Sequence, residues 1–215
     1  MAARVKICGL TRPEDAEQAA EAGASYLGVV FAGGPRRVSF ARAASVVAAS
    51  RGVPVLGVFG DQSVEEILSL ARGVGLSGAQ LHGPYSRDVA SRLRSAGLIV
   101  WRVVRIASPA DLDRLGEASL DAETVLVEPR VPHADGGGGV PLDLAIAVEA
   151  RSRLAGVRMA LAGGLTAETV GAAVALVRPD VADVSSGVES LPGIKDHEKI
   201  ARFLEAVLGR SPTVG

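Results

Sequence analysis

Residues 157–188 read VRMALAGGLTAETVGAAVALVRPDVADVSSGV, and their reading decides the fold. An apolar run ends in Gly163-Gly164. A segment of helical length follows Thr166. A second apolar run then ends in Ser185-Ser186-Gly187. Strands that are apolar throughout bury both faces, as parallel strands covered by helices do. The unit is therefore strand, Gly-rich turn, helix, strand.

Outward from this stretch the same unit recurs. Predicted strands occupy 5–9, 26–31, 53–59, 78–82, 99–106, 124–128, 157–162 and 181–185. Predicted helices occupy 13–22, 40–50, 64–72, 86–96, 109–116, 142–154, 167–177 and 197–208. Eight units of roughly 26 residues each give an α/β, single-domain (β/α)8 TIM barrel. An open doubly wound sheet is the rival. It has fewer strands and a Gly-rich fingerprint after the first, where this chain reads CGLTRPED. Thr11 and Glu14 have capping-box spacing around Pro13. After Thr166 the acid, Glu168, comes one residue early for such a box, but still favours a helix N-terminus by its charge. Gly23, Gly97 and Gly156 mark helix ends, where a left-handed turn is needed. No change of composition divides the chain, so one domain is expected over 1–209, with 210–215 a frayed tail.

The chain has 215 residues, 48% hydrophobic and 22% charged, which is globular rather than disordered. The net charge of −1 gives no electrostatic case for nucleic acid or an anionic membrane. Aromatics at 3% argue against stacking on bases. A single cysteine excludes an internal disulfide and a Cys-rich zinc site. No apolar run approaches the ~20 residues of a membrane span, and the N-terminus lacks a secretory h-region. A cytoplasmic protein is expected.

In such a barrel the chemistry lies at the C-terminal ends of the strands. There the sequence places Cys8, Arg36-Arg37, His82, Glu128, Gly163-Gly164, and Asp183 with Ser186-Gly187. Gly-rich turns after strands 7 and 8 let backbone N–H groups approach a phosphate. A thiol ahead of a helix N-terminus is expected to have a depressed pKa, although most free cysteines are small core residues. Glu128, closing an apolar strand, wants a proton-transfer role or an Arg partner. Arg36 suits a carboxylate clamp, or plain surface charge. His82 reads first as a strand-end structural histidine. The stretch 130–140, with Gly136–Gly139, is a candidate lid, and its His133 and Asp135 read as solvated.

Several stretches together resemble the phosphoribosylanthranilate isomerase family. They are KICGLT at 6–11, 24–31 with PRRVS at 35–39, QLHG at 80–83, 136–139, LAGGL at 161–165, DVSSGVE at 183–189 and PGIKD at 192–196. The resemblance implies a TIM barrel without metal or redox cofactor, acting on a phosphorylated sugar–anthranilate substrate by an Amadori rearrangement. It implies Cys8 as base and Glu128 as acid. It places Arg36 on the anthranilate carboxylate and the phosphate at Gly163, Gly164, Ser186 and Gly187, with His82 and Asp183 among the binding residues. A monomer is expected rather than a homodimer. Two positions depart from the family pattern. Glu128 stands where the family has Asp, which moves the carboxyl outward by about an ångström or more, a displacement able to cost on the order of 10²-fold in rate. Leu142-Asp143-Leu144 replaces Phe-Asp-Trp. These departures keep open a relative acting on another phosphosugar–amine adduct, or a barrel that binds a phosphorylated ligand without turnover.

Overall fold

The computed structural model describes residues 3–130 and 140–209. Strands β1 (Arg4–Ile7), β2 (Tyr26–Val30), β3 (Val55–Phe59), β4 (Gly78–Leu81), β5 (Ile99–Ile106), β6 (Thr124–Pro129), β7 (Arg158–Leu161) and β8 (Val181–Val184) pair in parallel in chain order, and β8 closes onto β1. Closure is direct, since Lys6 pairs with Tyr26 on one side and Asp183 on the other. The expected TIM barrel is the observed fold, and a closed sheet excludes the doubly wound alternative. Around it run α1 (Pro13–Ala22), α2 (Phe40–Ala48), α3 (Val64–Val74), α4 (Arg87–Ser95), α5 (Arg114–Ser119), α6 (Leu144–Arg153), α7 (Ala167–Val177) and α8 (His197–Leu208).

Local chemistry sets most of the helix ends. Ser63 and Glu66 form a reciprocal capping box at the start of α3, with Ser63 N donating to Glu66 Oε2 at 2.7 Å and Glu66 N to Ser63 Oγ at 3.3 Å. Gly23, Gly97 and Gly156 have φ of 101°, 86° and 85°, as their helix-end role requires. Thr11 does not cap α1. Arg12 holds that position, and the Thr11 hydroxyl donates instead to the Gly193 carbonyl. After Thr166 it is Thr169, not an acid, that accepts from the N-cap backbone N–H. The predicted helix 109–116 is a 3₁₀ turn over Pro109–Asp113 followed by α5. An unpredicted hairpin, β9 (Glu189–Leu191) and β10 (Ile194–Lys195), stands between β8 and α8.

Register decides which side chains enter the barrel. In-register partners on parallel neighbours point the same way, and alternate residues share a face. Tyr26, Leu56, Trp101, Leu126, Ala160 and Val181 form a separate packed layer inside the barrel. Trp101 is fully buried there, with Tyr26 edge-on at 5.1 Å between ring centroids. Two residues beyond Leu126 lies Glu128, and two beyond Val181 lies Asp183. Two beyond Gln80, which pairs with Trp101, lies His82. Lys6, partner of Asp183, is followed two residues on by Cys8. The alternation that buries the inner layer thus aims these four side chains into the mouth above it.

Candidate active site

The barrel mouth at the C-terminal ends of the strands holds a cleft of about 310 Å³. Cys8, Arg36, His82, Glu128, Gly163, Gly164, Asp183, Ser186 and Gly187 all line it, so every residue predicted for the site opens onto one space. His133, Asp135 and Gly136–Gly139 lie outside the described residues, as does the 210–215 tail.

Glu128 is nearly buried, and Oε1 takes two donors: His82 Nε2 at 2.6 Å and Arg105 Nε at 3.0 Å. Arg105 is its in-register neighbour on β5, so strand pairing alone brings the two together. Burial pushes the Glu128 carboxyl up, but the hydrogen bonds and charges of His82 and Arg105 outweigh it and hold the carboxyl below its usual range. His82 is thus the direct partner of the candidate acid. Arg102, on β5 like Arg105, points outward to Asp121 and the Tyr85 carbonyl.

Cys8 lies across the mouth from Glu128. Between their strands stand β7 and β8 on one side and β2 to β5 on the other. The expected depression of its pKa is corrected. Burial pushes the thiol up, and the Lys6 ammonium beneath it only partly pulls it back. Lys6 is wholly buried and donates to both carboxylate oxygens of Asp183 at 3.0 Å.

Arg36 is not a free fork. Its Nε and Nη2 each donate to Glu189 at 2.8 Å. Glu189 also accepts from Lys195 Nζ at 2.8 Å, and Lys195 Nζ donates to the Ser185 carbonyl at 3.0 Å. The β9–β10 hairpin, unseen in the sequence pattern, is what carries Glu189 and Lys195 to this place. Among the described residues Arg36 Nη1 makes no hydrogen bond, and that edge remains for a ligand.

The two Gly turns form one wall. Gly163 and Gly164 have φ of 106° and 59°, conformations that glycine adopts without penalty. Ser186–Val188 makes a single 3₁₀ turn, and a Cβ on Gly187 would collide with the Leu165 carbonyl. Among the described residues, the N–H groups of Gly163, Gly164, Ser186 and Gly187 find no acceptor in a turn or loop. Free N–H groups in concave Gly turns suit a phosphate.

The sequence family described as N-(5'phosphoribosyl)anthranilate (PRA) isomerase matches residues 5–206. This chain belongs to that family. The N-(5'-phosphoribosyl)anthranilate isomerase of Cereibacter sphaeroides is 38% identical over 208 residues, covering 94% of this chain and 97% of that one. The crystal structure of phosphoribosyl anthranilate isomerase from Thermotoga maritima superposes with a TM-score of 0.85 at 34% identity, over 96% of this chain and 99% of that one. A further crystal structure of such an isomerase, in complex with reduced 1-(o-carboxyphenylamino)-1-deoxyribulose 5-phosphate, gives a TM-score of 0.84 at 31% identity over 96% and 99% of the two chains.

Lys6, Glu189, Lys195 and Arg105 stand beside the candidate site residues, although sequence reasoning gave none of them a role. Lys6 carried a signal, since a lone lysine in an apolar strand sits two residues before Cys8 and so shares its face. Glu189 and Lys195 lie within the DVSSGVE and PGIKD blocks of the family resemblance, but nothing local shows that a short hairpin folds them back onto Arg36.

Proposed function

We propose that this chain converts N-(5'-phosphoribosyl)anthranilate into 1-(2-carboxyphenylamino)-1-deoxyribulose 5-phosphate, an Amadori rearrangement of tryptophan biosynthesis, with Glu128 as acid and Cys8 as base. The furanose ring oxygen must gain a proton for the C1'–O bond to break and give an iminium. The C2' proton must then leave to give an enolamine, which tautomerises to the ketone. One acid and one base on opposite sides of the sugar suffice. The observation that carries this reading is the placement of Glu128 and Cys8 on opposite walls of one cleft, with Gly turns between them.

Each group has a task that follows from its surroundings. The free N–H groups around Gly163, Gly164, Ser186 and Gly187 receive the phosphate. The open Nη1 edge of Arg36 receives the anthranilate carboxylate, held in orientation by Glu189. His82 and Arg105 aim the Glu128 carboxyl, and substrate filling the cleft strips its remaining water and raises its proton affinity. The product-analogue complex of the relative at 31% identity supports a ligand of this chemistry in such a barrel. A single chain supplies the full set of proposed groups, and we take a monomer, with the barrel over 1–209, as the working unit. No helix among the described residues is long and apolar enough to cross a membrane, and we place the enzyme in the cytoplasm.

The second reading, a relative acting on another phosphosugar–amine adduct, rests on Glu128 and on Leu142 and Leu144, which put aliphatic side chains where the family has aromatic ones. One experiment decides. Purified enzyme is mixed with freshly made phosphoribosylanthranilate, and loss of substrate fluorescence is followed. Catalytic loss is expected. Absence of loss at high enzyme concentration would leave the altered substrate or a binding-only barrel.

A further inference from the structure

Lys6 is fully buried, at 0% exposure, a place that lysine almost never takes without a partner. Two of its three ammonium donors are taken by Asp183, each at 3.0 Å. Register explains the pairing, since Lys6 and Asp183 are opposite one another on β1 and β8. The ammonium also stands 5.7 Å from the centroid of the Trp101 ring, the floor of the site. Cys8 shares the Lys6 face. The meeting point is Gly28 on β2, where an added Cβ would lie 2.9 Å from Cys8 Sγ and 3.2 Å from Lys6 Nζ. Sulfur and ammonium therefore both border the space beside Gly28, and a Cβ added there would crowd both.

We propose that Lys6 is a positioning residue for proton abstraction: its ammonium, fixed by Asp183, is the counter-charge against which Cys8 ionises. This rests on the reading of Cys8 as the base. The step balances without another reactant. Cys8 loses its proton to solvent before substrate arrives. The thiolate then takes the C2' proton of the iminium, leaving a neutral enolamine and a thiol, while Lys6 keeps its charge throughout.

The other charges around the thiol are accounted for. Asp183 on β8 opposes ionisation, while Lys195 on β10 favours it, as does Arg36 after β2. Lys195 and Arg36 share the Glu189 carboxylate, which blunts both. Glu128 on β6 bears on Asp183. Burial pushes the Cys8 thiol up, and Lys6 is the strongest group pulling it down. Burial works against the charge on Lys6, but Asp183 and Cys8 outweigh it and hold the ammonium above its usual range. Asp183 thus has two effects: it keeps Lys6 in place and partly cancels its field on the sulfur.

Cys8 is the only cysteine, so the ultraviolet absorbance of the thiolate titrates one group. The titration is run on the full-length wild-type enzyme, Lys6→Met and Asp183→Asn. Lys6→Met is expected to raise the midpoint by about one pH unit or more, a tenfold loss of thiolate at a fixed pH below it. Asp183→Asn is expected to lower the midpoint, because the full ammonium charge then acts on the sulfur. A role confined to packing would move both variants the same way, toward an ordinary thiol. An unchanged midpoint in folded Lys6→Met overturns the proposal, as does an unchanged or raised midpoint in Asp183→Asn. Should Lys6→Met not fold, Lys6→Gln is titrated in its place, with the same rise expected and an unchanged midpoint again overturning the proposal. A Cys8→Ser enzyme with normal turnover would instead sink Cys8 as base and leave the titration result standing.

Discussion

Glu189 gathers four donors: Arg36 Nε and Nη2 at 2.8 Å each, Lys195 Nζ at 2.8 Å and the Gly193 N–H at 3.2 Å. Glu189→Gln removes the charge, keeps one acceptor oxygen and turns an NH₂ toward a cation. Breaking a buried ion pair costs about 3–5 kcal/mol. The remaining amide oxygen still serves one donor and Arg36 reaches water at its outer edge, so we expect about 2–3 kcal/mol, between the cost of a lost charged hydrogen bond and that of a full break. At about 2–4 °C per kcal/mol for a chain of this size, the melting temperature should fall by about 4–12 °C. The loss has a pH signature. Burial pushes the Glu189 carboxyl up, but Arg36 and Lys195 outweigh it and hold it below its usual range. A depressed acid contributes stability that is present above its unfolded pKa, about 4.3, and is lost as pH falls through the lower folded value. The gap between wild type and Glu189→Gln should therefore be full at neutral pH and shrink below about pH 4. Arg36 also loses its brace, so KM should rise by about tenfold, worth about 1.4 kcal/mol of binding, with kcat less affected. Thermal melts across pH and fluorescence-based KM measure both effects. A variant melting within about 1 °C of wild type, a far smaller shift than any buried-pair loss would give, with KM unchanged, would refute the reasoning.

Gly28→Ala should lower kcat and raise the thiolate midpoint, since its Cβ would crowd both Cys8 Sγ and Lys6 Nζ and disturb their contact; a midpoint at the wild-type value would count against the contact. Glu128→Asp draws the carboxyl back by about 1.5 Å, one carbon–carbon bond, away from His82 and Arg105. The freed carboxyl should hold its proton more readily, with kcat near or above that of wild type; a kcat lowered by about 10²-fold would mean that the site is built around the longer side chain. Gly187→Ala would force the 3₁₀ turn off the Leu165 carbonyl, so KM and the inhibition constant of inorganic phosphate should both rise by about tenfold or more, the loss of one or two charge-assisted hydrogen bonds; unchanged phosphate inhibition would place the anion elsewhere.

The barrel was legible because its signal repeats. Each apolar run, Gly-rich turn and helix points to the same closed sheet, and the period-two alternation that buries Leu126 and Val181 also aims Glu128 and Asp183 upward. Cys8, His82 and the Gly turns were found the same way, at strand ends. Contacts made through irregular segments were not legible. The hairpin β9–β10 has only two short strands, yet it decides that the Arg36 fork is half-filled. Thr11 misled for a related reason: its hydroxyl serves the Gly193 carbonyl of that same hairpin rather than the helix beside it. The pKa of Cys8 could not be read from a strand end and a nearby helix, because burial is a property of the closed barrel.

The most direct measurement is single-turnover decay of phosphoribosylanthranilate fluorescence by Glu128→Gln beside the wild-type enzyme. Gln keeps the shape and cannot donate an acidic proton to the ring oxygen, so the rate at saturating enzyme should fall by about 10²–10⁴-fold while affinity is nearly unchanged. A rate within a few-fold of wild type would contradict proton delivery by Glu128 across the cleft.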